Sequence, residues 1–129
     1  MNDTELLKGL NAAQHDAVTC DSQHLLVLAG AGSGKTRVLT SRITHFCQNF
    51  GISPFAVLAV TFTNKAAHEM RARLEQQLGI ATQPLWIGTF HGLAHRFLRA
   101  HFKEAGLPQT FQILDGDDQQ RVIKRVLKD

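Results

Sequence analysis

Ala29-Gly30-Ala31-Gly32-Ser33-Gly34-Lys35-Thr36 lies between an apolar run, His24-Leu25-Leu26-Val27-Leu28, and a segment with apolar residues at helical spacing. Strand, glycine-rich turn, then helix start is the setting of a phosphate-binding P-loop. Glycines 30, 32 and 34 open backbone torsions closed to other residues and let the main chain approach an anion. Successive N–H groups then form a nest, and the helix N-terminus adds a positive partial charge. Lys35 is placed to reach the β- and γ-phosphate oxygens, and the Thr36 hydroxyl to sit on the Mg²⁺ that bridges them. Ala29 stands where glycine usually opens the motif, which asks only for a negative φ in the first turn. The expectation is a nucleotide site, against a plain glycine turn with no ligand.

Downstream, Val38, Leu39, Ile43, Phe46, Cys47 and Phe50 mark one apolar helix face that Gly51 ends. Arg37 opposes the helix dipole, and its guanidinium can stack on a base or meet a phosphate. Phe55 to Phe62 reads as a second buried strand, with Asn64 as N-cap of a helix over 66–78. That helix buries Ala67, Met70, Leu74 and Leu78, leaving Glu69, Arg71, Arg73 and Glu75 on a solvated face, and Gly79 stops it. Leu85 to Gly88 is a short third strand, and Thr89 caps a helix over 90–104. Phe111 to Leu114 is extended, and Asp115 and Asp118 open a last helix with Val122, Ile123, Val126 and Leu127 on one side. Upstream, a helix over 4–10 precedes Asn11, which caps a second over 12–19. On it, the Gln14 amide can donate and accept at once, which suits an adenine edge.

Strands alternating with helices imply an α/β fold with a parallel sheet, and ligands gather at the carboxyl ends of such strands. Three ends then share one edge: the P-loop, Thr61-Phe62-Thr63-Asn64 and Gly88-Thr89-Phe90-His91. Phe62 and Phe90 either fold back into the core or, in the case of Phe62, offer a stacking platform for a base. Helix starts at Asn64 and Thr89 can hold backbone phosphates.

The 129 residues suit about one domain, and a net charge of +3 permits a polyanionic partner without requiring one. No apolar run reaches membrane-span length, and the acidic, polar Met1-Asn2-Asp3-Thr4-Glu5 is unlike a signal peptide. Isolated Cys20 and Cys47 suit buried or half-buried thiols in a reducing cytoplasm. His91 and His95 are spaced i, i+4 but lack a third ligand and a Glu beside His91, so no zinc site is expected.

Four blocks also resemble a known family. Leu10-Asn11-x-x-Gln14, the run from Ala29 through Arg37 to Leu39, Val60-Thr61-Phe62-Thr63-Asn64-Lys65-Ala66-Ala67-x-Glu69-Met70 and Gly88-Thr89-Phe90-His91 look like the first motifs of UvrD/Rep/PcrA-type superfamily-one DNA helicases, in order and spacing. The tail from Gly92 to His101 and on to Phe111-Gln112-Ile113-Leu114-Asp115 resembles the UvrD branch most, with Gly92 where many relatives carry serine.

The resemblance implies a RecA-like P-loop NTPase fold: residues 1–88 as the N-terminal part of the first ATP-binding domain, and 89–129 as the start of an inserted helical subdomain. It implies that Gln14 contacts adenine, Arg37 packs on it, residues 29–36 bind ATP phosphates, and Lys35 and Thr36 (through Mg²⁺) serve hydrolysis. Phe62, Thr63, Asn64, Thr89 and His91 are implied to contact single-stranded DNA. The implied activity is ATP-driven 3′-to-5′ unwinding of partly duplex DNA, alongside repair proteins, in mismatch and nucleotide-excision repair.

Nothing in the chain reads as the Asp-Glu pair that holds Mg²⁺ or as the arginines of a second RecA-like domain. An arginine finger alone is worth about 10³–10⁵ in rate. The chain is therefore expected to be an N-terminal fragment, nearly inactive alone, with an incomplete sheet and an exposed edge. A non-catalytic nucleotide or single-strand binding module is the alternative. A small P-loop kinase fits poorly, because the Thr-Phe-Thr-Asn block serves no acceptor or lid role.

Overall fold

The computed structural model describes residues 3–114 and 116–127. Two compact units divide it, Met1–Leu93 and Ala94–Asp129. In the first unit, Asn11 starts a helix through reciprocal bonds. Gln14 N donates to Asn11 Oδ1 at 2.8 Å, and Asn11 N donates to Gln14 Oε1 at 3.0 Å. This capping box satisfies two otherwise orphaned donors. Helix α2 follows as Ala12–Thr19. The preceding α1, Asp3–Leu7, stops short of the expected Leu10 because Gly9 turns into the left-handed region at φ +79°. Leu7 and Leu10 still pack on Ala17, Val18 and Val38.

Helix α3, Lys35–Asn49, buries a different face from the one its apolar spacing predicts. Of the six apolar residues, Val38 alone is buried, together with Thr40, Ser41, Thr44 and His45. Small hydroxyl side chains can be buried here because they find partners. Thr40 Oγ1 donates to Arg37 O at 3.2 Å, and Thr44 Oγ1 to Gln77 Oε1 at 2.9 Å. Leu39, Ile43 and Phe46 instead line an open hollow of about 510 Å³ with Ile52, Ala56 and Val57. Phe50 is exposed and stacks on Phe46 at 5.1 Å. Cys20 and Cys47 are both half-buried free thiols, and burial pushes the Cys47 pKa up.

The expected strand over 55–62 forms only in its second half. Pro54–Ala56 makes a 3-10 turn instead, with Phe55 N donating to Ser53 Oγ at 3.3 Å and Pro54 fixing its own φ. Strand β1, Leu58–Thr61, then pairs in parallel with β2, Trp86–Thr89, in the register Leu58↔Trp86 to Thr61↔Thr89. Between them runs α4, Asn64–Leu78. Its N-cap is Thr63, not Asn64: Ala66 N donates to Thr63 Oγ1 at 3.1 Å, which makes Asn64 the first helical residue. Gly79 ends the helix at φ +67°. Met70 and Leu74 of α4 meet Ala59, Leu85 and Ile87 to form the core. The helix's charged face is not uniformly solvated. Arg71 is half-buried and donates through Nη2 to Ile87 O, while Glu75 Oε1 accepts from Thr82 N at 3.2 Å.

His24 to Leu28, expected as the first strand, is not one. Exposure along Leu25, Leu26, Val27 and Leu28 alternates 43%, 81%, 43% and 86%, the period of two that a strand shows. A strand exists through its neighbours' hydrogen bonds, however, and β1 and β2 pair with each other. The described residues therefore form a mixed α/β arrangement with a two-stranded parallel sheet.

Helix α5, Phe90–Ala100, ends before the expected Glu104; residues 101–106 are turns, and Gly106 sits at φ +65°. In the second unit, Phe111 lies against its α5 residues: the Arg99 guanidinium is 5.5 Å from the Phe111 ring centroid and the His95 ring meets it edge-on. Helix α6 spans Gly116–Val126, with acids in its first turn and bases in its last. Asp115, expected to open it, lies outside the described residues. The apolar residues Val122, Ile123 and Val126 of α6, and Leu127 just past it, are exposed.

Leu74 is fully buried at the centre of the core. Leu74→Ala is expected to lower unfolding free energy by about 2–5 kcal/mol, read as a shift of the urea midpoint at unchanged slope.

Candidate nucleotide-binding site

Gly34 sets the local geometry. It enters the left-handed region at φ +82° and so starts α3 immediately behind the loop. A Cβ there would fall 3.0 Å from Gln14 Nε2, which itself donates to Ser33 O at 3.0 Å. Glycine thus lets α2 approach the loop backbone. Gly32 also takes a positive φ, and Ser33 closes the turn with N and Oγ both donating to Gly30 O, at 3.3 and 2.7 Å.

The loop fits a phosphate chain. A Cβ on Gly30 or Gly32 would meet nothing within 4 Å, so the loop is open to a ligand. Lys35 Nζ donates to Gly30 O at 2.6 Å and Ala29 O at 3.1 Å, which holds its charge within the loop. The first turn of α3 carries no acid to oppose an anion at the helix start.

Two further anchors lie behind the loop. Arg37 Nη2 donates to Lys8 O at 3.2 Å, and a Cβ on Gly9 would sit 3.3 Å from that nitrogen. Arg42 Nη1 donates to the carbonyls of Ala17, Val18 and Cys20 at 2.9, 3.3 and 2.7 Å, closing the end of α2, while its guanidinium lies 4.5 Å from the Phe46 ring centroid. Sequence reasoning missed Arg42. The available signal was a cation within the apolar face, four residues before Phe46.

Lys35 and Thr36 also line a hollow of about 470 Å³ with Thr61, Phe62 and Thr63. Phe62 and Phe90 follow the paired Thr61↔Thr89, and this register sets their rings 5.3 Å apart at 48°. Neither folds into the core: Phe62 is 89% exposed and Phe90 54%. Thr89 Oγ1 accepts from Gly92 N at 3.1 Å, capping α5, and Asn64 and His91 are exposed nearby in the chain. His95 is engaged elsewhere, with Arg99 Nε donating to its Nε2 at 3.0 Å.

Residues 10–129 match the family model of the UvrD/REP helicase N-terminal domain. The chain belongs to that family. It is 56% identical over 128 residues to DNA helicase II of Escherichia coli, covering 99% of this chain and 18% of that protein. It is 55% identical to DNA helicase II of Salmonella typhimurium, over the same shares. It is 48% identical over 125 residues to ATP-dependent DNA helicase PcrA of Bacillus subtilis, covering 97% of this chain and 17% of that protein. The chain thus spans under a fifth of the length of these curated relatives.

Within this UvrD/REP chain, Gln14 and Ala29 to Arg37 form one neighbourhood, and Phe62, Thr63, Asn64, Thr89 and His91 gather where β1 and β2 end. Phe90 joins the second group through its ring contact, although the sequence did not single it out as a site residue.

Gly34→Ala adds a Cβ at left-handed torsions, a strain of roughly 1–2 kcal/mol, and displaces the Gln14 amide. It is expected to lower stability and weaken binding of a fluorescent ATP analogue. Gly51→Ala, strained alike but meeting nothing within 4 Å, is expected to lower stability alone.

Proposed function

We propose that this chain is the ATP-binding N-terminal part of an ATP-dependent DNA helicase that translocates 3′ to 5′. The observation that carries the reading is the shared hollow: Lys35 and Thr36 line it from the loop, and Thr61, Phe62 and Thr63 from the sheet end. One rigid element then joins phosphate to single strand, as a motor needs. Residues 1–88 are assigned to a RecA-like domain and 89–129 to the start of an inserted helical subdomain.

In this reading Lys35 exchanges its two loop carbonyls for β- and γ-phosphate oxygens of ATP, a move that a flexible four-carbon stem permits. Loop N–H groups and the α3 N-terminus hold the remaining phosphate charge. Gln14 turns its amide from Ser33 to the adenine edge, and Arg37 packs on the base from its anchor at Lys8. The Thr36 hydroxyl is the chain's own ligand for Mg²⁺, which supplies charge neutralisation on the phosphates when bound. The hollow's lining residues Lys35, Thr36, Thr61 and Thr63 supply cationic and hydroxyl groups to it. Phe62 offers an exposed face on which a base can stack, with Thr63, Asn64, Thr89 and His91 toward the backbone.

Partly duplex DNA is the proposed substrate. The setting is mismatch and nucleotide-excision repair in the cytoplasm, with repair proteins as partners. Among the described residues no helix is long and apolar enough to cross a membrane.

ATP turnover by the intact protein, with and without single-stranded DNA, tests the reading. DNA-stimulated turnover that vanishes in Lys35→Ala is expected. Intact ATP binding with no stimulation would instead favour a non-catalytic binding module.

A further inference from the structure

Arg71 stands in an unusual environment for a surface-helix cation. Its Nη2 donates to Ile87 O, and its Nε is buried with no hydrogen-bond partner. Among the described residues no carboxylate pairs with it. Desolvating a guanidinium against a single carbonyl is a poor route to stability, since an aliphatic side chain of similar size avoids the cost. What the bond does accomplish is geometric.

Helix α4 follows directly on Phe62-Thr63, and Ile87 lies three residues before Phe90. The Arg71–Ile87 bond therefore ties the helix that follows one exposed ring to the strand that precedes the other. Gly88 completes the joint. A Cβ there would lie 3.2 Å from Leu93 Cγ and 3.8 Å from Arg71 Nη2, so Leu93 of α5 packs directly against the backbone at this residue. Leu93 is buried, which fixes the first turn of α5 and with it Phe90 and His91.

We infer that Arg71 is a positioning residue for single-strand binding: by tying α4 to β2 it holds the Phe62–Phe90 ring pair at the spacing the strand register sets, without touching the nucleic acid. The inference rests on the helicase reading for the identity of the ligand. Removing a charge-assisted bond of this kind is expected to weaken binding about tenfold. A direct phosphate contact would behave differently, because its loss lowers the slope of log affinity against log salt by about one.

The test uses the intact protein and fluorescently labelled oligo-dT, with affinity read by anisotropy over a range of salt. Arg71→Met is expected to weaken binding about tenfold, with salt slope and DNA-free ATP turnover unchanged. Arg71→Lys, which retains a donor for the Ile87 carbonyl, is expected to recover most of the affinity. Combined with Phe90→Ala, Arg71→Met is expected to add nothing, because it acts through the ring pair. Unchanged affinity in Arg71→Met, a reduced salt slope, or full additivity with Phe90→Ala would each overturn the inference. If Arg71→Met does not fold, Arg71→Gln carries the same comparisons. DNA binding by the wild type without stimulated ATP turnover would overturn the helicase reading while leaving the Arg71 comparison intact. Failure of the wild type to bind oligo-dT would overturn both.

Discussion

Gly34 takes a backbone conformation that costs other residues energy, and the glycine-rich loop and the helices around it depend on it. At φ +82° it ends the loop and starts α3 in one step. Having no Cβ, it also leaves room for Gln14 to reach Ser33 O. Gln14 can do so because the Asn11 capping box fixes the first turn of α2. Arg42 then holds the other end of α2 through three carbonyls. Helix α2 is thus secured at both ends against the loop–α3 unit, and Arg37 ties the preceding turn to the same helix. The candidate base-contacting groups are positioned by backbone bonds more than by apolar packing.

At the sheet end the controlling constraint is register. Pairing Thr61 with Thr89 brings the residues that follow the two strands alongside each other, and both are phenylalanine. A slip of one residue would send the rings to opposite faces of the sheet. Thr63 and Thr89 turn the chain into helices at once by accepting from Ala66 N and Gly92 N. The rings are left outside the core, on short turns between a strand and a capped helix.

Apolar surface is distributed unevenly. The α3–α4 contact uses Thr44 and Gln77, whereas Leu26, Leu28, Val126 of α6 and the following Leu127 are exposed. The alternation of exposure along 25–28 marks a strand-like run whose hydrogen-bonding partners are missing among the described strands.

Local chemistry carried much of this outcome. Asn11 with Gln14 three residues on specifies a capped helix, and the glycine pattern before Lys35-Thr36 specifies a loop open to anions, because both depend on residues a few positions apart. Family membership was legible for the same reason, in four short blocks with fixed spacing. The tertiary structure decided what depends on distant partners. Whether His24 to Leu28 becomes a strand depends on a neighbour to pair with. Which face of α3 is buried depends on where α2 and α4 pack, and the Thr40 and Thr44 hydroxyls are buried with Arg37 O and Gln77 Oε1 accepting their hydrogen bonds. Arg71 read as a solvent-facing charge, and Arg42 drew no reading at all, until the fold brought backbone carbonyls 16 and 22 residues away within reach. Helical periodicity reports which residues share a face, but only the packed chain determines what that face meets.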